Sequence, residues 1–358
     1  MKRIAYLINS VEGGGAALPA AQVIALLRRE GFEVTVLALT RRDGRALPSF
    51  AAAGIEVRVR DGGERDHRAS LRWLRRQLDE LKPDLLWTSL TRATLLGQIA
   101  AGRIPVVSWQ HAAFLKSANR LLLRAMQWRS ALWLADSAQV ALLTEARLGV
   151  ERERIMVWPL FAADPDARQA APWRPGKAVR IGSLGRLHPV KGYEVLVEAL
   201  GLLRGDALLP PISVHIAGEG EQREALAAVA ERVGVIVELA GFVSDPREWL
   251  AGLHLYVQPS RSEGLCVAAH QAMAAGLPVV ASAVGELPNS IVEGTGLLVP
   301  PGDAPALAET LLAMLAKPES LAAIGLSARS RVLARFGPAQ FQAAGLAVVE
   351  RVRLILGA

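Results

Sequence analysis

The feature that most constrains this chain is a pattern that occurs twice: an apolar strand, a turn with glycine, an amphipathic helix and a further strand. The first copy predicts a strand at residues 4–8, a turn at 13–15, a helix at 19–30 and a strand at 34–39. The second copy predicts a strand at 179–184, a loop at 185–192, a helix at 193–203 and a strand at 212–217. Such alternation is typical of parallel sheets joined by right-handed crossovers. The sequence therefore predicts an α/β protein with two doubly wound sheets.

The length of 358 residues and a proline-rich stretch indicate how the chain divides. A chain of this length exceeds the usual size of one core and suits two. Residues 158–177 carry several prolines and are interpreted as a linker. We predict an N-terminal domain at 1–160, a linker at 161–175, a C-terminal domain at 176–335 and a last helix at 336–358 that packs back on the N-terminal domain. Ligands of such sheets bind outside the carboxyl ends of the strands, so two facing domains would form a ligand cleft between them.

Composition limits the partners and the compartment. The formal net charge of +7 suits an anionic partner such as a nucleotide or an anionic lipid, although a surface that serves solubility alone explains it equally well. The one cysteine excludes an intrachain disulfide, argues against a cysteine zinc site and agrees with a cytoplasmic location. The uncharged segment 264–285 is divided by Gly276 and Pro278, and no nucleic-acid-binding module is recognisable. We therefore predict no transmembrane segment and no nucleic-acid partner.

Two loops that follow predicted strands carry groups suited to phosphate. Gly13, Gly14 and Gly15 precede the first helix, where backbone N–H groups can approach a phosphate oxygen. A flexible turn is the alternative interpretation. Arg186 and Lys191 bracket the loop before the helix of the second pattern. A diphosphate is held by fixed positive charge, which a guanidinium and an ammonium supply, although ordinary solvated cations would show the same sequence.

A third segment begins at Glu263 and combines a carboxylate, a helix start and an amide side chain. Free N–H groups at the helix start can receive a phosphate oxygen while the carboxylate of Glu263 accepts hydroxyl donors from a sugar ring. Gln271 follows two turns later and can bond a ribose diol. The helix ends near Gly276 and a strand begins after Pro278.

Several short motifs follow one another in a fixed order along the chain. They are the glycine turn at 13–15, Gly-Arg-Leu at 185–187 with Lys-Gly at 191–192, Ala-Gly-Glu-Gly at 217–220, Gly-Phe-Val at 241–243, Ser-Glu-Gly-Leu at 262–265, Ala-Met-Ala-Ala-Gly-Leu-Pro-Val-Val at 272–280 and Gly-Leu-Leu-Val-Pro-Pro-Gly-Asp at 296–303. This set resembles the family 4 retaining glycosyltransferases over nearly the whole second half, and more loosely over the first half. The resemblance implies a GT-B fold, in which two Rossmann-like domains face a central cleft.

The resemblance also implies roles for single residues. His111 and Glu263 would be the catalytic residues, with Glu263 on hydroxyls of the transferred sugar and His111 approaching that sugar from the first domain. The donor diphosphate would be bound by the following residues: Arg186, Lys191, Leu265, Cys266, Gly14 and Gly15. The nucleoside would be bound by Gln271, Val243 and Gly218. No metal and no cofactor beyond the donor, a UDP- or GDP-sugar, is implied. Without the surrounding motifs, His111 would be interpreted as a core or loop histidine bonded to backbone.

The chain departs from the family pattern in two places. The pattern has a second glutamate eight residues after the first, where this chain has Gln271, and an amide accepts ribose hydroxyls more weakly than a carboxylate does. An Asn-Gly pair often follows the linker proline, where this chain has Leu160 and Phe161. The prediction is a metal-independent hexosyltransferase that serves a lipid-linked or polysaccharide acceptor in cell-envelope or exopolysaccharide synthesis. The alternatives are a catalytically weakened sugar-nucleotide binding subunit and a nucleotide-sugar epimerase of the same fold, which needs a carboxylate pair that the motifs do not place.

Two segments of the first domain, residues 68–78 and 116–133, mix cations with bulky apolar side chains. In the second segment Lys116, Arg120 and Arg124 recur every four residues, which predicts one face of a helix. Such helices bind anionic bilayers with cations at the headgroups and tryptophan at the interface. A helix whose apolar face belongs to the core is the alternative. The hypothesis is a cytoplasmic protein that binds peripherally to the inner face of the membrane and there reaches a glycolipid acceptor.

Overall fold

The computed structural model describes residues 1–14, 16–111, 115–207 and 209–357. Contacts divide the chain into two units. The first unit consists of Met1–Phe161 with Ala339–Ala358, and the second unit consists of Ala162–Pro338. The C-terminal segment therefore belongs to the same unit as the N-terminus, and the proline-rich stretch after Phe161 belongs to the second unit.

The first unit is built on a sheet of seven strands, counted within the described residues. They are β1 Lys2–Ser10, β2 Phe32–Thr40, β3 Glu56–Val59, β4 Leu85–Ser89, β5 Val106–Gln110, β6 Leu132–Ala135 and β7 Ile155–Val157. All neighbours pair in parallel in the order β3-β2-β1-β4-β5-β6-β7, and Ile4 of β1 pairs with Val34 on one side and Leu85 on the other. The order reverses between β1 and β4, the position at which doubly wound sheets bind ligands.

Six α-helices precede the second unit in the described chain. They are α1 Ala17–Arg29, α2 Leu47–Ala52, α3 His67–Leu81, α4 Thr91–Ala100, α5 Ser117–Met126 and α6 Ala138–Leu148. The sequence of α1 explains its packing, because Ala20, Val23, Ile24 and Leu27 repeat at helical spacing and all are buried. α1 contacts β2, so this apolar stripe covers one face of the sheet.

The second unit is built on a sheet of six strands, again counted within the described residues. They are β8 Val179–Leu184, β9 Ile212–Ala217, β10 Val237–Gly241, β11 Leu255–Gln258, β12 Val279–Ser282 and β13 Gly296–Val299, in the parallel order β10-β9-β8-β11-β12-β13. Its helices are α7 Tyr193–Leu202, α8 Arg223–Val233, α9 Pro246–Ala251, α10 Val267–Ala274, α11 Leu287–Ser290, α12 Ala304–Leu315 and α13 Leu321–Phe336. Here the order reverses between β8 and β11. Both sheets thus have the doubly wound arrangement that the alternation of strands and helices predicts.

The last helix, α14, spans Pro338–Ile355. The ring of its Phe341 lies 5.5 Å from that of Trp158, a fully buried residue of the first unit. Arg353 donates to the carboxylate of Glu30 at 3.1 Å. From Ala339 onward the helix is therefore part of the first unit's packing.

The two basic segments of the first unit differ from each other in the structure. In α3 the apolar residues Leu74 and Leu78 are buried, so its apolar face belongs to the core. The segment 116–133 is not one helix. Lys116 precedes the start of α5, and Trp133 lies buried in β6. The predicted shared helical face therefore holds for Arg120 and Arg124 alone, because α5 begins at Ser117 and Lys116 before it has an extended backbone.

No single helix in the described ranges is long and apolar enough to span a membrane. Ala304–Leu315 and Pro318–Ile355 pass that test only as a bent pair, on length and composition.

Candidate functional site

An ion pair between Lys191 and Glu263 marks the candidate site of the second unit. Lys191 Nζ lies 2.6 Å from Glu263 Oε1, and the glutamate side chain is 9% exposed. Lys191 lies in the loop after β8, and Glu263 lies in the loop after β11. Since these two strands flank the reversal of strand order, the pair occupies the usual ligand position of a doubly wound sheet. The structure brings together these two residues that the sequence predicts at the donor site.

Buried polar side chains hold the carboxylate of Glu263 in place. Ser260 Oγ donates to Glu263 Oε1 at 2.6 Å, and Gln258 Nε2 donates to the same oxygen at 3.3 Å. Tyr256 donates its hydroxyl hydrogen to Gln258 Oε1 at 2.8 Å. Sequence reasoning missed this chain of donors, although polar residues at the end of strand β11 and just after it were a signal for it. The network fixes the glutamate geometry before any ligand binds.

The Lys191 ammonium keeps its charge in this environment. Burial is the largest single effect and lowers the pKa of Lys191, but the charge and hydrogen bond of Glu263 together with Cys266 outweigh it, and the pKa lies above its ordinary value. The site therefore presents a fixed positive charge at neutral pH, which is what an anionic ligand such as a diphosphate needs.

Two backbone amides of the candidate site lie between Glu263 and the start of α10. The amides of Leu265 and Cys266 have no hydrogen-bond acceptor among the residues that the structure describes. Both residues are buried, and Cys266 adopts a left-handed conformation with φ +64°. Because the first N–H groups of a helix have no intrahelical partner, this end of α10 suits a phosphate oxygen.

The loop that carries Glu263 is held from behind by the segment after β12. Glu286 donates its backbone N–H to the carbonyl oxygen of Gly264 at 2.9 Å. Gly285 has φ +58°, and a Cβ atom there would lie 2.6 Å from the carbonyl oxygen of Glu263. His270 Nδ1 lies 2.9 Å from the carbonyl oxygen of Cys266. These contacts fix the peptides that would face a donor phosphate.

The remaining predicted donor residues lie at strand ends and on α10. Arg186 follows β8, is exposed, and has no ion-pair or hydrogen-bond partner for its side chain in the described part of the chain. Gly218 donates its N–H to the carbonyl oxygen of Gly241 at 2.7 Å, so the ends of β9 and β10 adjoin. Val243 follows two residues later and is half-buried. Gln271 is half-buried in α10.

A histidine with two side-chain partners marks the corresponding edge of the first unit. His111 Nδ1 lies 2.8 Å from both carboxylate oxygens of Asp136, and Nε2 lies 2.6 Å from Ser89 Oγ. With Asp136 ionised, Nδ1 carries the proton that it donates. His111 directly follows β5, Asp136 directly follows β6 and Ser89 is the last residue of β4. The His111 side chain is 8% exposed. Sequence reasoning missed Asp136 and Ser89, for which the signal was a polar residue at the end of each buried strand.

The glycine turn after β1 differs from the prediction in its hydrogen bonding. Gly13 donates its N–H to Asp43 Oδ1 at 3.0 Å, and Gly14 donates its own to the carbonyl oxygen of Glu12 at 2.8 Å. Both amides are therefore engaged within the chain in this structure, Gly13 with an aspartate side chain and Gly14 with a backbone carbonyl oxygen of the turn itself. Gly15 lies outside the described residues.

Comparison with known proteins gives relatives for both units. The family model described as Glycosyltransferase Family 4 matches residues 13–162, and the model described as Glycosyl transferases group 1 matches residues 178–317. The chain is 33% identical over 195 residues to a GDP-mannose-dependent alpha-(1-6)-phosphatidylinositol monomannoside mannosyltransferase of Mycolicibacterium smegmatis, which covers 51% of this chain and 49% of that protein. It is 30% identical over 201 residues to the lipopolysaccharide core biosynthesis mannosyltransferase LpsB of Rhizobium meliloti, which covers 52% and 55%. The chain spans about half the length of the curated relatives it matches.

Solved structures resemble the chain over its whole length. Anabaena Alr3699/HepE in complex with UDP-glucose has a TM-score of 0.83 at 22% identity, covering 98% of this chain and 100% of that chain. Sucrose-phosphate synthase from Thermosynechococcus elongatus has a TM-score of 0.81 at 20% identity, covering 100% of both chains. At this level of identity the likeness concerns the fold, and it confirms the predicted GT-B class. Since the two family models together match most of the sequence, one to each unit, the chain belongs to glycosyltransferase family 4.

Proposed function

We propose that the chain is a retaining hexosyltransferase whose donor is a nucleotide-diphosphate sugar, a UDP- or GDP-sugar. The observation that carries the proposal is the Lys191–Glu263 pair, 2.6 Å apart beside the start of α10. A held carboxylate accepts hydrogen bonds from sugar hydroxyls, and the neighbouring cation and amides donate hydrogen bonds to the diphosphate that is attached to the sugar. The UDP-glucose complex of the structural neighbour from Anabaena supports a donor of this class.

The leaving diphosphate is stabilised by charges that exist before the reaction. In this proposal Arg186 and Lys191 supply cations, and the amides of Leu265 and Cys266 supply dipoles at the start of α10. Such preorganised groups act on the negative charge that develops as the glycosidic bond to the diphosphate breaks. Transfer by this device needs no metal and no further cofactor.

Retention follows when the acceptor approaches on the face that the leaving group vacates. The bond between the anomeric carbon and the diphosphate oxygen breaks, and the acceptor hydroxyl oxygen bonds to the resulting oxocarbenium-like carbon. The hydroxyl proton passes to an oxygen of the departing diphosphate. Glu263 holds hydroxyls of the transferred sugar, and His111 contacts that sugar with its imidazole oriented by Asp136. Gln271, Val243 and Gly218 contact the nucleoside.

The proposed acceptor is a glycolipid or a polysaccharide of the cell envelope or of an exopolysaccharide. The names of two relatives, one acting on phosphatidylinositol monomannoside and one in lipopolysaccharide core synthesis, support this class. A membrane surface is supported by α5 and the turn after it, where Leu121, Leu122 and Trp128 are 63%, 52% and 64% exposed beside Arg120 and Arg124. We place the protein in the cytoplasm, on the inner face of the membrane.

One residue favours a second candidate function, a sugar-nucleotide binding subunit without turnover. Gln271 stands where the family pattern has a second glutamate, and its uncharged amide accepts a ribose hydroxyl more weakly. The two functions differ in whether a bound donor is consumed.

The test is release of nucleoside diphosphate from a panel of UDP-, GDP- and ADP-sugars without added metal. It compares the wild type, Lys191→Ala and Lys317→Ala, a control in which an exposed lysine of the same unit is removed. We expect one donor to be consumed by the wild type and by the control, but not by Lys191→Ala. Analysis of the products separates transfer from epimerisation. Binding without release, even with lipid extract added, would favour the binding subunit.

A further inference from the structure

Arg92 is a half-buried cation at the start of α4 that the proposed donor site does not use. Its Nη2 donates to Ser70 Oγ at 2.8 Å. Its Nε is buried and has no hydrogen-bond partner within the described residues. Burial, together with the positive charge of Arg60, lowers the pKa of Arg92. The Arg92 guanidinium is thus a positive charge in a partly buried environment that disfavours charge.

The arginines around Arg92 differ from it in having carboxylate partners. Those pairs are Arg41 with Asp61, Arg42 with Glu12 and with Glu64, and Arg60 with Asp66. For Arg92, the neutral hydroxyl of Ser70 is the one side-chain partner found in the described part of the chain. A buried or partly buried charge is normally paired, because a charge without a partner loses hydration and gains little in return. Among the described residues, Arg92 therefore has no carboxylate at ion-pair distance, as its neighbours have, although the charges of Glu64 and Asp66 act on it from further away.

Hydrogen bonds hold Arg92 and Arg60 in one assembly. Arg60 Nη2 donates to Asp66 Oδ2 at 2.6 Å, and Asp66 caps the start of α3. Ser70 Oγ donates to the carbonyl oxygen of Asp66 at 2.7 Å and accepts from Arg92. The two guanidinium groups are therefore fixed before a ligand arrives, which lowers the entropy cost of binding an anion between elements.

The position of this assembly in the sheet is that of a ligand site. Arg60 directly follows β3 and Arg92 follows β4, so both lie at the carboxyl edge of the first unit's sheet. His111 lies at the same edge, after β5. Ligands of doubly wound sheets bind at this edge, and a guanidinium matches a phosphate group with two parallel hydrogen bonds.

We propose that Arg92, held beside the Arg60–Asp66 ion pair, binds a phosphate mono- or diester at the carboxyl edge of the first unit's sheet. Given the proposed function, this phosphate belongs to the acceptor, which makes the enzyme selective for phosphorylated acceptors. The assignment as acceptor rests on the proposed function, whereas phosphate binding by Arg92 does not. The phosphate belongs either to a lipid headgroup or to a soluble ester, and the experiment separates the two.

Calorimetric titration with glycerol 3-phosphate tests the proposal on the wild type, Arg92→Gln and Arg76→Gln, an exposed arginine of α3 that serves as the control. We expect the wild type and the control to bind the ester alike and Arg92→Gln to bind it at least tenfold more weakly. Arg92→Lys, which keeps the charge but loses the fork, should fall between them. Equal binding by wild type and Arg92→Gln, or none by the wild type, overturns the proposal.

Titration of the same proteins with UDP and GDP separates this proposal from the donor site. We expect Arg92→Gln to bind the nucleoside diphosphate as the wild type does. If no protein binds UDP or GDP while glycerol 3-phosphate binding still depends on Arg92, the proposed function fails and the phosphate site stands. If Arg92→Gln binds neither glycerol 3-phosphate nor the nucleoside diphosphate, the proposed phosphate site is contradicted, because the substitution then acts on the whole fold.

Two further measurements complete the test. In chloride buffer Arg92→Gln should melt at the wild-type temperature or above, because it removes a cation without a counter-ion. Inorganic phosphate at equal ionic strength should raise the melting temperature of the wild type more than that of the variant. A large loss of thermal stability without phosphate would assign Arg92 to the fold and overturn the proposal.

Flotation with phosphatidylinositol vesicles that depends on Arg92 identifies a lipid headgroup, and glycerol 3-phosphate binding without such flotation identifies a soluble ester.

Discussion

Among single residues, His270 combines complete burial with two hydrogen bonds behind the start of α10. Nδ1 donates to the carbonyl oxygen of Cys266 at 2.9 Å, and Nε2 lies 2.7 Å from Ser290 Oγ. Burial lowers the pKa of His270 to about 4 from an ordinary value of 6.5. The folded chain therefore keeps this imidazole neutral, and protonation opposes the fold.

This shift predicts a loss of stability in mild acid. Between pH 6.5 and about 4 the unfolded chain binds a proton at His270 that the folded chain does not, so the free energy of unfolding falls as the pH falls. Urea unfolding at pH 7 and pH 5 should show that the wild type loses about 2 kcal/mol more than His270→Gln does. His67→Gln, at an exposed histidine, should behave as the wild type. Equal pH dependence in all three would contradict the assignment.

The backbone of Cys266 gives a second prediction for a single residue. With φ +64° it adopts a conformation that costs a residue with a side chain about 1 kcal/mol and costs glycine little. Cys266→Gly and Cys266→Ala both remove the buried thiol, so their comparison isolates the backbone. Denaturant unfolding should show the glycine variant to be more stable than the alanine variant by about 1 kcal/mol. An alanine variant of equal or greater stability would mean that this conformation carries no strain.

Among the helices and strands, the ends of an element can be predicted from the local sequence, whereas its long-range partners cannot. The end of α10 and the start of β12 follow from Gly276 and Pro278, because these residues act on the backbone within one turn. The partners of His111 do not follow in this way. Ser89 and Asp136 lie 22 and 25 residues away along the chain and reach His111 only because β4, β5 and β6 are neighbours. Strand order depends on the packing of the whole sheet, so sequence reasoning found the histidine but not its partners.

The contact between the Glu263 loop and the segment after β12 predicts that alanine substitutions at two glycines of this region have different effects on ligand binding. Gly285→Ala places a Cβ atom against the carbonyl oxygen of Glu263, whereas Gly294, with φ +80°, has nothing within 4 Å of a Cβ atom. Both alanine variants should lose about 1 kcal/mol of stability from the left-handed backbone. Only Gly285→Ala should also weaken nucleoside diphosphate binding, by tenfold or more in calorimetry. Equal binding by the two variants would show that the loop position does not matter for the donor.

The exposed apolar side of α5 predicts membrane binding that α3 does not share. Leu121 is 63% exposed beside Arg120 and Arg124, whereas the apolar face of α3 is buried. Charge reversal by Arg120→Glu with Arg124→Glu should abolish flotation with anionic vesicles at low salt, because the cations meet the lipid headgroups. The matched double variant in α3, Arg72→Glu with Arg76→Glu, should float as the wild type does. Failure of the wild type to bind anionic vesicles would contradict the membrane hypothesis.

In the whole molecule, the chain passes between its two units twice, after Phe161 and after Pro338. The second passage brings α14 onto the first unit's core. A Cβ atom at Gly345 would lie 2.7 Å from Leu26 Cδ1 and from Trp158 Cζ2, so α14 packs too closely there for any side chain. Stability of the first unit therefore depends on residues at the far end of the sequence.

Phe341→Ala tests this dependence, since it removes a ring that is 9% exposed and packs on Trp158. Substitutions of this kind cost about 3–5 kcal/mol, and the loss should fall on the first unit, which holds most of the chain's tryptophans. Tryptophan fluorescence should show an earlier unfolding transition, while UDP or GDP binding below that transition stays unchanged. Leu346→Ala, at a residue 38% exposed, should shift the transition little. A variant that keeps its stability but loses nucleotide binding would show that α14 serves the donor site instead of the first unit's core.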